Sequence, residues 1–219
     1  ATLDADSKKK VVPELMPRAL FWFRWGAAWT WFTGVLLLYV VYWHGNMSMG
    51  ETDGNIMFSE GEVTPWSHSM ILLSFAAVFI YDFFYKSSLV KNVRVSTIIS
   101  YAFVAGMIYL MTCCGSFEYR AYNIHIGTMF GTMMAFNVWF RIWPAQQKII
   151  TAIKNGDAPD GKLVALATTR SKHNTYMSIP LLWTMINQHT VVFSGKLFDV
   201  TGLVLLVVIA LGWHIAFQL

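Results

Sequence analysis

The six histidines are the residues of this sequence best suited to chemistry, because histidine binds metals and titrates near neutral pH. His125 lies well inside a long apolar segment, and His189 lies at the end of another. An imidazole is costly to bury in such a segment unless something binds it. Haem b iron takes axial histidine ligands from facing helices, with the porphyrin inside the bundle. The sequence therefore predicts that His125 and His189 are the ligands of a haem b iron. In the alternative interpretation, both histidines contact only headgroups, carbonyls or water.

Two threonines follow His125 on the same side of its predicted helix. Thr128 and Thr132 stand at i+3 and i+7 from His125, a spacing that places side chains on one helix face. Their hydroxyls can bond haem propionates or water, so we expect both in the cofactor-binding site. The other side of the helix carries a stripe of small residues, which predicts close packing against another helix. The members of this stripe are Gly127, Gly131 and Ala135.

A second tier of candidates comprises His173, Asn174 and His214, which are predicted nearer the opposite membrane face, and His68, at the outer end of its span. Sixteen residues of helix separate His173 from His189, which is about 24 Å, so the two cannot share one metal ion. His173 and Asn174 follow a basic loop and are predicted to bind helix-start groups, an anionic headgroup or a substrate. His173 with His214 is a candidate inner haem pair, and His68 is a further cofactor candidate. The alternative for these histidines is again a purely interfacial role.

Asp82 is the one acidic residue inside an apolar segment. It stands four residues before Lys86, which is a favourable spacing for an ion pair on a helix. An acid at membrane depth is also a candidate for a proton relay. The sequence leaves both interpretations open.

Six long apolar segments must position these residues. The chain is 56% hydrophobic and only 13% charged, whereas a soluble domain usually has about 25% charged residues. Each segment is near the ~20 residues that cross a bilayer as a helix. The sequence therefore predicts an all-α integral membrane protein, a bundle of six transmembrane helices in a single domain, 1–219. The predicted spans are 17–43, 66–86, 92–114, 118–143, 172–190 and 199–218.

The basic residues predict the orientation of the spans. Fourteen of the sixteen lie on one side, and only Arg120 and Lys196 lie on the other. The positive-inside rule then places both termini of a multi-pass membrane protein in the cytoplasm. The outer loop 45–65 is acidic and suits a basic partner such as a cytochrome c, or is simply solvated. PAQQKIITAIKNG (144–156) is amphipathic and predicts a short interfacial helix.

Several function classes find no support in the sequence. There is no Ser/His/Asp arrangement, no phosphate-binding loop and no GxGxxG motif. There is no CxxCH, so no c-type haem is expected to be attached to this chain. The basic residues are scattered along the membrane faces, which does not favour nucleic acid as a partner.

Three stretches of the sequence resemble the membrane domain of the bacterial membrane-bound urate hydroxylases, the cytochrome c-linked urate oxidases. They are PELMPRALFWFRWGAAWTWFTG (13–34), HIGTMFGTMMAFNVWFRIWPAQQKII (125–150) and SKHNTYMSIPLLWTMINQH (171–189). In that family a multi-helix domain commonly precedes a C-terminal cytochrome c. The matching polar positions are Asp82, His125, Asn137, Pro144, Gln147, His173, Asn174, Thr175, Pro180 and His189. Neither the upstream membrane segment of the family nor its cytochrome module is found in this sequence, so we expect the cytochrome to be supplied separately.

The resemblance implies a redox-linked membrane protein. We expect a haem b electron-transfer subunit of a larger respiratory or oxidising complex, surrounded by lipids and other membrane subunits. It would pass electrons to or from a c-type cytochrome on the periplasmic side. One alternative is the catalytic membrane part of a urate hydroxylase, and another is a cofactor-free structural subunit.

Overall fold

The computed structural model describes residues 5–44, 57–58, 64–187 and 198–218. Helices α1 (Ala5–Leu38), α2 (Pro65–Phe84), α3 (Val93–Cys113) and α4 (Tyr119–Asn137) are followed by α5 (Trp143–Asn155), α6 (Gly161–Ile186) and α7 (Phe198–Gln218). π-Helical turns extend α1 over Tyr39–Trp43 and join α4 to α5 over Val138–Ile142, and a 3-10 turn covers Ser88–Lys91. The described residues form no strand, and one isolated antiparallel bridge pairs Phe58 with Phe117. The prediction of an all-α protein is therefore confirmed for this part of the chain.

In the part of the chain that the structure describes, three helices are long and apolar enough to cross a membrane: Lys9–Trp43, Pro65–Phe84 and Val93–Cys113. A shorter apolar helical stretch covers Gly202–Gln218. Helices α4 and α6 are less apolar because they carry buried polar side chains, which face protein and lower the hydropathy of the segment. The count of six spans and the cytoplasmic placement of both termini stay predictions.

Two helices begin well before the segments that their apolar residues predicted. α1 begins at Ala5 rather than near 17, and α6 begins at Gly161 rather than near 172. Hydropathy locates only the part of a helix that avoids water, and a polar extension into water leaves no apolar signal. The short amphipathic helix predicted at 144–156 is confirmed as α5, which ends at Gly156 with a left-handed φ of 86°, as a C-terminal glycine allows. Its location at the membrane interface stays a prediction.

The start of α2 is pinned by a reciprocal cap. Thr64 and Ser67 form a capping box in which each side chain bonds the backbone of the other. The same two hydroxyls reach the turn after α3, since Thr64 Oγ1 donates to Cys114 O at 3.2 Å and Ser67 Oγ donates to Gly115 O at 2.7 Å. The cap therefore fixes the turn that leads into α4.

The chain divides into two compact units, each described by itself below. Unit 1 comprises 1–33 and 134–175, and unit 2 comprises 34–133 and 176–219. In unit 2, the first part of α4 is buried except along one half-buried stripe, Arg120, Ile124, Thr128 and Thr132, which is typical of a central helix. Its buried members are Tyr119, Ala121, Tyr122, Asn123, His125, Ile126, Gly127, Met129, Phe130 and Met133. The organisation as one transmembrane domain stays a prediction.

Candidate functional site

His125 is fully buried in unit 2, and both of its ring nitrogens are hydrogen-bonded. Its Nε2 lies 3.2 Å from the indole Nε1 of Trp43, and its Nδ1 lies 2.7 Å from Ala121 O. An indole N–H can only donate, so Nε2 must accept and carry no proton. Nδ1 then carries the proton and donates to the Ala121 carbonyl. The contacts thus select one neutral tautomer of His125, with the Nε2 lone pair directed at Trp43.

Aromatic rings enclose this imidazole. The ring centroids of Phe117, Trp43 and Tyr42 lie 4.9, 6.2 and 6.4 Å from that of His125. The Phe117 ring in turn contacts Phe58 at 5.7 Å, next to the isolated bridge between these two residues. The surroundings of His125 are therefore apolar apart from the two hydrogen bonds to its ring. We refer to His125, Tyr42, Trp43 and Phe117 as the His125 cluster.

The π-helical turn at the end of α1 presents Tyr42 and Trp43 to His125. The backbone N–H of His44 donates to Tyr39 O at 2.7 Å, five residues back rather than the four of an α-helix. The additional residue in this turn rotates the following side chains relative to an α-helical continuation. Trp43 therefore reaches the imidazole from the end of a predicted span, where a tryptophan more commonly contacts headgroups.

The two threonines predicted to join the site lie half-buried on α4. Thr128 Oγ1 donates to Ile124 O at 2.9 Å, and Thr132 Oγ1 donates to Thr128 O at 2.8 Å. Each hydroxyl proton is thus directed at the carbonyl one turn back in the same helix. The oxygen of a hydroxyl can still accept hydrogen bonds from another group, so the predicted contact with a cofactor or water stays a prediction.

Helices α4 and α6 meet tightly in unit 2. A Cβ at Gly127 would overlap the Thr184 side chain, and Asn123 Nδ2 donates to Thr184 O at 3.3 Å. Asn123 and Thr184 are both fully buried. Close packing through the small-residue stripe is therefore confirmed at Gly127. At Gly131 a Cβ would meet nothing within 4 Å among the described residues, so close packing at this position stays a prediction.

Asn174 belongs to a buried polar group in unit 1. Asn137 Nδ2 donates to Asn174 Oδ1 at 2.9 Å, and Asn174 Nδ2 donates to Met134 O at 3.2 Å. These bonds join the end of α4 to α6 through two amides. Arg170, one turn before Asn174, is only 2% exposed. Asn174 is thus engaged in helix packing, and its predicted role toward cofactor or substrate stays a prediction.

The remaining candidate histidines lie in three kinds of environment. His173 is half-buried next to Asn174, whereas His68 in the first turn of α2 and His214 near the end of α7 are exposed. His189 lies outside the described residues. The roles of these four histidines stay predictions.

The ion pair between Asp82 and Lys86 is confirmed. Lys86 Nζ lies 2.8 Å from Asp82 Oδ2, and the exposed fractions of the two side chains are 57% and 9%. The carboxylate is held on the protein side of α2 while the ammonium group reaches outward along the same helix. This pairing accounts for the acid inside an apolar segment, and a proton-relay role of Asp82 stays a prediction.

Within the described ranges, no group of three or more His, Cys, Asp or Glu side chains is placed to hold a metal ion. A haem needs only axial ligands, and the donor chemistry of His125 fits one, because its tautomer keeps the Nε2 lone pair. Iron bound to Nε2 would replace the hydrogen bond from Trp43. Trp43 and Asn123 were not predicted as residues of the site. The one signal in the sequence for Asn123 is that a polar residue lies two positions before His125 in an apolar segment.

Comparison with known proteins gives one match. A family model described as urate oxidase N-terminal matches residues 4–218, nearly the whole chain. Neither the curated proteins nor the solved structures give a significant match.

Proposed function

Because this chain belongs to the urate oxidase N-terminal family, we propose that it is a redox-linked subunit of the bacterial inner membrane. In this proposal it is an electron-transfer subunit that holds a haem b and exchanges electrons with a c-type cytochrome on the periplasmic side. Other membrane subunits complete the oxidising complex. Family membership supports a function related to urate oxidation, and the helices long and apolar enough to cross a membrane support the location.

The observation that carries the haem proposal is the tautomer of His125. An axial histidine ligand commonly donates its second ring N–H to a carbonyl, which fixes the ring and makes the other nitrogen a better ligand. Nδ1 of His125 has this bond to Ala121 O at 2.7 Å. The second proposed ligand is His189. A haem b held there would supply one-electron transfer.

The protein groups around His125 have separate roles in this proposal. The rings of Phe117 and Tyr42 keep water from the imidazole, and a low dielectric around an iron site tunes its reduction potential. The oxygens of Thr128 and Thr132 accept hydrogen bonds from water or from protonated propionates. Trp43 covers Nε2 in the absence of iron, so the buried lone pair is never left without a partner.

Two other functions have observations in their favour. Family membership favours the catalytic membrane part of a urate hydroxylase, in which His173, Asn174 or Asp82 would serve substrate or protons. The complete hydrogen bonding of His125 favours a cofactor-free structural subunit. Urate-dependent reduction of added cytochrome c by the purified protein distinguishes the enzyme from an electron-transfer subunit.

An absorption spectrum with pyridine haemochrome analysis tests the haem proposal directly. Purified protein from haem-supplied cells should show a haem b spectrum, and His125→Ala and His189→Ala should each abolish or convert it. His125→Met replaces one ligand by another and should shift the spectrum without removing it, which separates lost ligation from lost folding. His44→Ala, an exposed neighbour of Trp43, serves as the control. Wild-type protein without haem would overturn the proposal.

The proposed topology has both termini in the cytoplasm and the acidic loop 45–65 outside. Cysteine labelling at Gly54→Cys with a membrane-impermeant reagent tests it in intact cells. The background variant needs Cys113→Ser and Cys114→Ser, because Cys113 is exposed and Cys114 is half-buried. Labelling of Gly54→Cys only after lysis would overturn the topology.

A further inference from the structure

Arg24 places a positive charge inside the longest apolar helix of the protein. It lies within Lys9–Trp43, a helix long and apolar enough to cross a membrane. A guanidinium stays charged at any relevant pH, and a charge at membrane depth is costly without partners. The Arg24 side chain is half-buried in unit 1. Its contacts therefore show how the protein accommodates this charge.

Three aromatic rings hold the guanidinium. Arg24 Cζ lies 4.1 Å from the ring centroid of Trp143, 5.1 Å from that of Trp139 and 5.8 Å from that of Phe21. Trp139 Nε1 also donates to Arg24 O at 3.1 Å, which ties the two helices together at this position. Stacking on Trp143 uses the face of the guanidinium and leaves its in-plane N–H groups for hydrogen bonds.

One of these in-plane donors is buried and has no acceptor in the described part of the chain. Arg24 Nε is shielded from solvent, and no hydrogen-bond partner lies within reach of it there. The described acidic residues of unit 1 do not serve it: Glu14 lies 3.7 Å from Arg18, and Asp6, Asp157 and Asp160 are exposed and form no ion pair with Arg24. No other molecule can reach an atom that is shielded from water, so a ligand of this guanidinium must contact its other N–H groups, which are not among the shielded atoms without a partner.

Both the guanidinium and its surroundings indicate what that molecule is. The two Nη groups form a fork that matches two oxygens of a phosphate. The adjoining surface of α1 is strongly apolar, since Trp22 is 74% exposed and Phe23 is 56% exposed. An anion with long apolar chains can accept hydrogen bonds from the guanidinium and also cover this apolar surface. Unit 1 also has a formal charge of +6 by sequence, which attracts anionic lipids to it.

We propose that Arg24, Trp139 and Trp143 form a binding site for the phosphate of an acidic phospholipid. Trp143 orients the guanidinium, Trp139 anchors the backbone beneath it, and the fork of Arg24 binds two phosphate oxygens. The acyl chains lie along the exposed apolar side chains of α1. This site is independent of the His125 cluster and of any haem.

Quenching of tryptophan fluorescence by brominated lipids tests the site in the purified full-length protein. The protein is placed in phosphatidylcholine vesicles that contain a small fraction of either brominated phosphatidylglycerol or brominated phosphatidylcholine. Brominated phosphatidylglycerol should quench more strongly, because it accumulates next to Trp139 and Trp143. Arg24→Gln should reduce this preference about tenfold, the size expected when a hydrogen bond to a charged group is lost. Arg24→Lys keeps the charge but not the fork, and should lose most of the preference.

Arg18→Gln is the matched control. It removes the same charge from the same helix, but Arg18 is exposed and paired with Glu14. Arg18→Gln should keep the preference for phosphatidylglycerol. An equal loss in the Arg18 and Arg24 variants, or no loss in Arg24→Gln, would overturn the proposal. Displacement of the quenching by inorganic phosphate at constant ionic strength would also overturn it, because the ligand would then be a free oxyanion. Circular dichroism of each variant verifies that it is folded.

Discussion

The Arg24 site in unit 1 and the His125 cluster in unit 2 differ in whether the chain itself supplies every hydrogen-bond partner of the central side chain. Each buries a polar side chain among aromatic rings, and each has a tryptophan N–H as a donor. The imidazole needs one donor and one acceptor, and Trp43 and Ala121 supply both. The guanidinium has five N–H groups, and its Nε has no acceptor among the described residues. The chain itself satisfies the hydrogen bonds of His125, whereas the guanidinium of Arg24 is proposed to bind a ligand.

The two units also differ in the sign of their net charge. Unit 1 carries eleven of the sixteen basic residues and five of the twelve acidic residues, whereas unit 2 carries five basic and seven acidic residues. Unit 1 therefore attracts anions, and unit 2 has a formal charge of −2. A basic soluble partner, such as a c-type cytochrome, is attracted only to the second.

The largest effect is expected from a larger side chain at Gly127, where α4 and α6 pack closely. Gly127→Leu places side-chain atoms where Thr184 already lies, so we expect loss of folded protein or a destabilisation of about 3 kcal/mol or more. Gly131→Ala is the control, because its Cβ meets no described atom within 4 Å. It should be neutral or stabilising by up to about 1 kcal/mol, since alanine is the better helix former. Thermal unfolding in detergent measures both, and an equally stable Gly127→Leu would contradict the packing.

The next effect separates the two tryptophans. Trp43→Phe removes the N–H from His125 Nε2 and leaves that lone pair available, so haem occupancy at a given haem supply should rise severalfold. Trp139→Phe removes the equivalent bond in unit 1 and should leave the haem spectrum unchanged. The measured quantity is the haem-to-protein ratio from the pyridine haemochrome. A loss of haem in Trp43→Phe would indicate that Trp43 supports the iron ligand rather than covers it.

A smaller effect is expected at the buried amides of unit 1. Asn137→Ala and Asn174→Ala each leave one amide of the pair without its partner, at a cost of about 1–3 kcal/mol. The double variant should cost less than the sum of the two, because the shared hydrogen bond is lost only once. Chemical denaturation of all four proteins gives the coupling energy. Simple additivity would show that the amides act independently.

The smallest effect is expected at Asp82. Asp82→Asn breaks a partly exposed ion pair within one helix, which contributes about 0.5 kcal/mol. Stability and the haem spectrum should therefore stay close to those of the wild type. A large loss of turnover in a stable, assembled variant would instead support the proton relay.

The sequence predicted the helices and part of the site, for physical reasons that are clear in each case. Long apolar runs require helices in a bilayer, and the amphipathic run at 144–156 is α5. The burial of His125 and the pairing of Asp82 follow from local context and i+4 spacing. The contact between Trp43 and His125 does not, because it joins residues 82 positions apart and depends on a π-helical turn.

The contacts between Arg24 and its aromatic neighbours could not be predicted from the sequence either. Arg24 contributed only to the charge count that orients the membrane spans, and Trp139 and Trp143 lie near the end of a predicted span, where tryptophans commonly contact headgroups. Composition cannot tell a tryptophan that contacts headgroups from one that stacks on a cation. The distinction needs the relative positions of distant segments, which no local pattern encodes.

The aromatic contacts of His125 and of Arg24 also depend on the number of residues in a π-helical turn. The turns Tyr39–Trp43 and Val138–Ile142 close their hydrogen bonds over five residues, so each holds one residue more than a regular α-helix requires. Removing a single residue there would restore regular helical bonding while rotating Trp43 or Trp139 by about 100° relative to the preceding helix. A one-residue deletion, which usually ruins a helix, is thus the change that these two turns can absorb. In evolutionary terms, gain or loss of either aromatic contact is one codon away.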